Sequence, residues 1–91
     1  MTYDRIKDLI GKLSRVRKAD NALDIAVDIA LFSPDERHSS VRMNAAGTKL
    51  IYWRHDGTTE TFIAHDHTLN AETRAQAIKR LTAILERRNG P

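Results

Sequence analysis

The clearest structural signal in this chain lies in residues 41–64, VRMNAAGTKLIYWRHDGTTETFIA. Polar and apolar residues alternate there in three short runs, and two glycines separate the runs. Alternation with a period of two is typical of half-buried strands, and glycine is favoured in the tight turns between them. We therefore predict three antiparallel strands at residues 41–45, 48–55 and 58–64.

The second turn is predicted at Asp56-Gly57. This dipeptide is a strong hairpin signal, because a two-residue type I′ loop needs positive φ at both positions. Such a loop would pair Ile51 with Phe62. One face of the sheet is then expected to carry Ile51, Trp53 and Phe62, and the other Leu50, Tyr52 and Ile63.

Both faces of this sheet are predicted to carry large apolar side chains. An even-length first turn, through Gly47, adds Val41 and Met43 to the face of Leu50. Because a sheet that is apolar on both faces needs cover on both, we expect helices on each side, as in a small α-β-α sandwich.

Two helical patterns precede the sheet and one follows it. Apolar residues recur with the 3.6-residue period of a helix in residues 3–16, 22–32 and 71–88. The element order is therefore ααβββα, an α/β chain of the α+β type with a three-stranded antiparallel meander. A chain of 91 residues can build one hydrophobic core, so a single domain is expected over residues 1–91.

The second helix is apolar on nearly every side. Ile25, Ile29 and Leu31 are therefore predicted to be largely buried, under the sheet. Asp24 and Asp28 interrupt the apolar pattern four residues apart, which places them on one face of the helix. We expect these two carboxylates to mark its one solvent-exposed edge.

Composition excludes several classes of protein. The apolar and charged fractions, 41% and 30%, are those of an ordinary globular protein, and no apolar run is long enough to span a bilayer. The first residues lack the pattern of a signal peptide, and the absence of cysteine fits a reducing cytoplasm. The net charge of +3 permits nucleic acid or an acidic protein as a partner but requires neither.

The histidines of His65-Asp66-His67 have the spacing of a two-histidine metal site. Alternation puts both imidazoles on one side of an extended chain. A third ligand would be needed, for which His55 and His38 are the candidates. Polar residues that leave a strand towards a loop are the more common explanation, so we expect no metal and no cofactor.

Catalytic motifs are not recognisable in the sequence. No serine lies in a strand–turn–helix elbow, and the four scattered glycines form no phosphate-binding loop. We therefore expect that the protein is not an enzyme.

Basic residues form three clusters along the chain. They are Arg15, Arg17 and Lys18 between the first two helices, Lys79 and Arg80 on the third helix, and Arg87 and Arg88 at its end. Joined in space, such clusters would bind phosphates, so a nucleic-acid-binding accessory protein is the alternative function. Acidic residues are interspersed among them, and the core is expected to need both Tyr52 and Trp53, which favours the interpretation as solvated surfaces.

A protein-binding surface is the third interpretation. A meander leaves an outer edge strand with unpaired backbone groups. Arg42, Arg54 and Tyr52 belong to the residue types enriched in interface hot spots, and the core is expected to need neither arginine. We predict Arg42 and Arg54 as partner contacts, with Tyr52 as the weaker candidate. Pairing of the edge with a second copy would give a homodimer.

Four short segments resemble small proteins of alphaproteobacterial phages and prophages that are grouped under a phage α-β-α sandwich domain. The segments are Leu23-Asp24-Ile25-Ala26, the turn at 44–48, Asp56-Gly57 and Thr68-Leu69-Asn70-Ala71. The resemblance covers residues 20–85 and transfers no functional residue.

The resemblance implies a small non-enzymatic protein that binds and inhibits a host protein complex in the host cytoplasm, without membrane attachment. An anti-CRISPR protein acting on a type I surveillance (Cascade) complex is the specific expectation. Since the chain is basic, such an inhibitor would contact mixed or acidic surfaces of its target.

Overall fold

A computed structural model describes residues 3–89 and contains three helices and three strands in the predicted order. The elements are α1 (Tyr3–Arg15), α2 (Asn21–Leu31), β1 (His38–Met43), β2 (Leu50–Arg54), β3 (Thr59–Phe62) and α3 (Ala71–Asn89). The strands form one antiparallel sheet in the order β1-β2-β3. The predicted α+β fold class is therefore confirmed. No helix within the described residues is long and apolar enough to cross a membrane.

The helices agree with their predicted bounds to within one residue, but the strands do not. β1 begins earlier than predicted because His38 pairs with Arg54 across a bulge between His38 and Ser40. It ends earlier because Asn44 forms the turn, where its Oδ1 accepts from the Thr48 N–H at 2.8 Å. β2 and β3 are shorter than predicted.

The hairpin between β2 and β3 has a three-residue loop, residues 55–57. The Arg54 N–H donates to the Thr58 carbonyl at 2.8 Å. Gly57 has a φ of 88°, whereas Asp56 does not have positive φ and accepts at Oδ1 from the Thr58 N–H at 2.9 Å. A type I turn followed by a glycine bulge has this pattern. The predicted two-residue loop is therefore wrong.

The extra loop residue changes which face Phe62 occupies. Phe62 pairs with Leu50 instead of Ile51, and a register shift of one residue moves a side chain to the other face of the sheet. The Phe62 ring accordingly lies 5.6 Å from the ring of Tyr52. The prediction that Phe62 shares a face with Ile51 is wrong, and Ile63 follows the end of β3 and is 75% exposed.

The first turn has the predicted even length. Val41 pairs with Tyr52 and Met43 with Leu50, so both lie on the face of Leu50 as expected. Gly47 has a φ of 73° within this turn.

The helices lie on one side of the sheet. Ile25 of α2 packs with Leu50 and Ala64, while the opposite side of α2 packs against α1 and α3. This helical core consists of Ile6, Leu9, Leu13, Leu23, Val27, Ala30, Ala77 and Leu81. The expected helix on the second face is absent from residues 3–89, so the α-β-α layering is wrong. The loss of Phe62 from that face makes it less apolar than predicted.

The second helix is buried along its apolar side, as predicted. It is also buried along the edge that was expected to be exposed, which is a correction to the prediction. Ile25 is 2% exposed, and Ile29 and Leu31 are half-buried. Asp24 and Asp28, which were expected to face solvent, are only 5% and 8% exposed.

Candidate functional sites: an aspartate–histidine cluster and an open sheet face

The two carboxylates of α2 hold the loop that connects β3 to α3. Asp24 Oδ1 accepts from the Thr68 N–H at 2.8 Å, and Asp28 Oδ2 accepts from the His65 N–H at 2.8 Å. Buried backbone N–H groups need acceptors. The loop is thus fixed to α2 by two side chains one helical turn apart, which explains why both carboxylates are buried.

The side chains of His65 and His67 converge on Asp28. His67 Nε2 lies 2.7 Å from Asp28 Oδ1, and His65 Nδ1 lies 3.1 Å from both oxygens. The His67 N–H donates to the His65 carbonyl at 3.0 Å, a turn centred on Asp66 that brings both rings to one carboxylate. The side chains of His67 and Asp28 are 9% and 8% exposed, whereas that of His65 is 78% exposed. We call these three residues the Asp–His cluster.

The two histidines that were considered as candidates for a third ligand lie elsewhere. His55 Nε2 is 2.7 Å from the carbonyl oxygen of Asp35, and His38 Nε2 is 2.9 Å from Glu60 Oε1. The third member of the cluster is instead Asp28. A carboxylate inside a helix that is apolar on nearly every side was the sequence signal for it, because a buried charge needs partners.

The environment of Asp28 keeps it ionised. Burial raises the pKa of this carboxyl, but hydrogen bonds from the His67 ring and from the backbone and ring of His65 lower it by more, so the pKa lies below its ordinary value of 3.8. A buried anion that faces two imidazole nitrogens can hold a divalent cation or a proton between them.

The other face of the sheet is open. Its central contact is between Arg42 and Trp53, whose guanidinium carbon and ring centroid are 4.6 Å apart. Strand alternation places six residues on this face: Ser40, Arg42, Ile51, Trp53, Thr59 and Thr61. Ile51 and Trp53 are half-buried, and the other four are exposed. We call this surface the open face.

Arg54 lies on the opposite face from Arg42. Its guanidinium is 3.2 Å from Glu60 Oε2 and donates to the Thr58 hydroxyl at 2.9 Å. Glu60 pairs with Tyr52 across the strands, which places Arg54 on the helix side of the sheet. The structure therefore does not bring the two predicted partner contacts together.

Tyr52 contributes to the core. Its ring packs edge-on against Phe32 and Phe62 at 6.0 and 5.6 Å. Burial, together with the charge of Asp28, raises the pKa of the Tyr52 hydroxyl. Trp53, which was expected in the core, lies on the open face beside Arg42.

The basic clusters lie at opposite ends of the helical layer. Arg15 shares a shallow depression with Asp20, where α1 ends and α2 begins. Arg87 lines another depression with Ile6 and Ser33, where α1 begins and α2 ends. Arg17 and Lys18 are exposed next to Arg15, and the side chain of Arg88 lies outside the described part of the structure. Arg80 of the middle cluster lines a depression together with Arg87, so these two clusters adjoin, whereas Arg15 lies at the other end of the helical layer.

Comparison of the chain with protein-family models, with curated proteins and with solved structures gives no match. A function is therefore argued from the two sites themselves, the Asp–His cluster on the helix side of the sheet and the open face on the other side.

Proposed function

We propose that this protein acts by binding another protein through the open face, and not by catalysis. The observation that carries the proposal is the Arg42–Trp53 pair, with 4.6 Å between the guanidinium carbon and the ring centroid. Tryptophan and arginine are among the residue types that most often dominate binding energy at interfaces. Half-buried Ile51 adds apolar area next to the pair, and no helix of residues 3–89 covers it.

The charge of the open face favours an acidic partner. Among its six residues Arg42 is the only charged one, and the whole chain has a net charge of +3. A guanidinium forms paired hydrogen bonds with a carboxylate, and the exposed part of Trp53 offers an apolar contact beside it. The partner surface that fits combines a carboxylate with an adjacent apolar group.

Affinity capture with matched variants tests this proposal. Arg42→Ala and Trp53→Ala are the test variants. Arg54→Ala is the matched control, because it also removes an arginine side chain, but from the opposite face of the sheet. A host protein that wild type and Arg54→Ala retain should be lost by the two open-face variants. With the purified partner, each should weaken Kd by about 30-fold or more, the loss typical of a hot-spot residue. Equal binding by all variants would contradict the role of the open face.

A narrower proposal rests on the resemblance to phage α-β-α sandwich proteins. It states that the partner is a host protein complex, specifically a type I CRISPR surveillance complex that the protein inhibits. In a plasmid-interference assay, wild type and Arg54→Ala should restore transformation of a targeted plasmid, and Trp53→Ala should not. Full interference in the presence of wild type would contradict this narrower proposal alone.

Nucleic acid and a second copy of the chain are the competing partners. Binding to nucleic acid would weaken linearly with the logarithm of salt concentration and would be lost when Arg15, Arg17, Lys18, Arg87 and Arg88 are changed to glutamine. Self-association would appear as a dimer in light scattering. Either result, with binding unaffected by Trp53→Ala, would replace the open-face proposal.

A further inference from the structure

We propose that the Asp–His cluster is a binding site for a divalent transition-metal ion, Zn²⁺ in the first place. Asp28, His65 and His67 each offer one ligand atom, and these three atoms lie within 4.8 Å of one another. Two of the separations are 2.7 and 3.1 Å. In a tetrahedral zinc site with bonds of about 2.1 Å, ligand atoms are about 3.4 Å apart. The cluster therefore needs movements of well under one ångström at the measured pairs.

The donor set selects the class of ion. Two imidazole nitrogens and one carboxylate oxygen form the three-ligand arrangement found in zinc sites that keep a fourth position open. Imidazole favours zinc, nickel, copper and cobalt, whereas calcium and magnesium prefer oxygen donors alone. The site should therefore discriminate strongly against calcium and magnesium.

The carboxylate is oriented before any ion arrives. Asp28 Oδ2 is held by the His65 N–H at 2.8 Å, which leaves Oδ1 directed at His67. Such hydrogen bonds fix the geometry of metal ligands and strengthen binding. Burial of Asp28 and His67 restricts their side chains further, while exposed His65 can adjust its ring to complete the site.

The proton that joins His67 and Asp28 must leave the bond when the ion binds. A neutral imidazole coordinates through a nitrogen that carries no hydrogen, so in the ion-bound state the His67 ring would carry its one proton on Nδ1 and present Nε2 to the ion. The Nε2–H bond of His67 breaks, its proton passes to solvent water, and a bond from Nε2 to the ion replaces it; solvent supplies a proton to Nδ1 where the ring does not already carry one there.

The fourth position belongs to water or to an external ligand. No other histidine, aspartate or glutamate of the described residues joins the cluster. Since the ion would connect α2 to the loop before α3, binding should stabilise the fold by mass action and raise Tm with ion concentration.

Calorimetry and cobalt absorption on the untagged, EDTA-treated protein test the site. Zn²⁺ should bind one ion per chain with a micromolar or tighter Kd and raise Tm. Co²⁺ should give the intense visible absorption of a tetrahedral site, and Mg²⁺ should have no effect. A polyhistidine tag must be removed because it binds the same ions.

Variants separate this site from weak surface binding. His65→Ala removes an exposed ligand without disturbing the core and should weaken Zn²⁺ binding at least about tenfold, since even residues that only orient ligands contribute 10- to 100-fold. His67→Ala should do the same. His55→Ala is the matched control, because it removes an exposed histidine outside the cluster and should bind like wild type. Absence of zinc binding by wild type, or equal binding by wild type and His65→Ala, would overturn the proposal.

Discussion

Replacement of Asp28 with alanine tests whether α2 holds the loop before α3. The variant leaves two donors without their acceptor, the His65 N–H at 2.8 Å and His67 Nε2 at 2.7 Å. Each buried donor that loses its acceptor typically costs about 1–3 kcal/mol, so the two together should cost about 2–6 kcal/mol. Because a domain of this size is stable by only about 5–15 kcal/mol, the loss should be a large fraction of the total.

Urea denaturation followed by circular dichroism measures this loss, with EDTA present so that no bound ion contributes. Asp28→Asn keeps one carbonyl oxygen and should cost about 1–3 kcal/mol, the penalty of leaving one donor unsatisfied. Asp8→Ala is the matched control, since Asp8 is exposed on α1 and lies 3.1 Å from Lys12. It should cost no more than about 0.5 kcal/mol. Equal losses for Asp28→Ala and Asp8→Ala would refute the argument.

The pH dependence of the same variant provides a second measurement. The folded-state pKa of Asp28 is below its ordinary value of 3.8. A depressed pKa contributes stability that is complete above the unfolded value and is lost as pH falls through the folded value. The difference between wild type and Asp28→Ala should therefore be largest near pH 7 and should shrink below pH 3.8. A difference that is the same at pH 7 and at pH 3 would contradict the charge-based account.

The remaining predictions concern the fold and are read from denaturation midpoints. Gly57→Val should destabilise the protein by at least about 1 kcal/mol, because a valine would have to adopt the φ of 88° that Gly57 has. A new Cβ would contact nothing within 4 Å, so backbone strain alone would be the cause. An unchanged Tm would contradict this prediction. Ile25→Ala should lower the free energy of unfolding by about 2–5 kcal/mol, and Ile29→Ala should lower it by less because Ile29 is only half-buried. A larger loss for Ile29→Ala than for Ile25→Ala would contradict the assignment of the core. Arg42→Ala should cost only about 0.5–1 kcal/mol through its contact with Trp53, and a larger loss would mean that the open face is structural.

The sequence predicts the elements because their signals are local. Asp20 caps α2, since its Oδ1 accepts from the Leu23 N–H at 3.1 Å. Asn70 caps α3 in the same way, since its Oδ1 accepts from the Thr73 N–H at 2.9 Å. Such caps depend on a few neighbouring residues and so can be recognised from the sequence alone.

Loop length could not be predicted because the Asp-Gly dipeptide suits two hairpins. A two-residue type I′ loop and a three-residue loop with a glycine bulge both need glycine at positive φ. Asp56 favours the second, because its carboxylate accepts from the N–H and hydroxyl of Thr58 at 2.9 and 2.6 Å. That one-residue difference moves Phe62 to the helix side. It also explains why the face of Arg42 and Trp53 is open instead of covered.

The Asp–His cluster was half predictable. His65 and His67 are only two positions apart and were recognised as a pair, whereas Asp28 precedes them by 37 and 39 positions. No local pattern links these segments. The interruption of an apolar helix by a carboxylate was visible, but its interpretation as an exposed edge assumed that charges face solvent. The loop instead supplies donors that make burial of the charge favourable.

The two proposed sites lie on opposite sides of the sheet and should act independently. Asp28 belongs to α2, which covers the face of Leu50, whereas Arg42 and Trp53 project from β1 and β2 on the other face. Substitutions without shared contacts usually have additive effects on stability. Trp53→Ala and His65→Ala should therefore add, and saturating Zn²⁺ should leave the affinity for a protein partner unchanged. If zinc altered that affinity tenfold, the coupling would be about 1.4 kcal/mol. Two connections join the sites: β3, which leads to the cluster and pairs with the strand of Trp53, and α2, which packs on Leu50 of that strand.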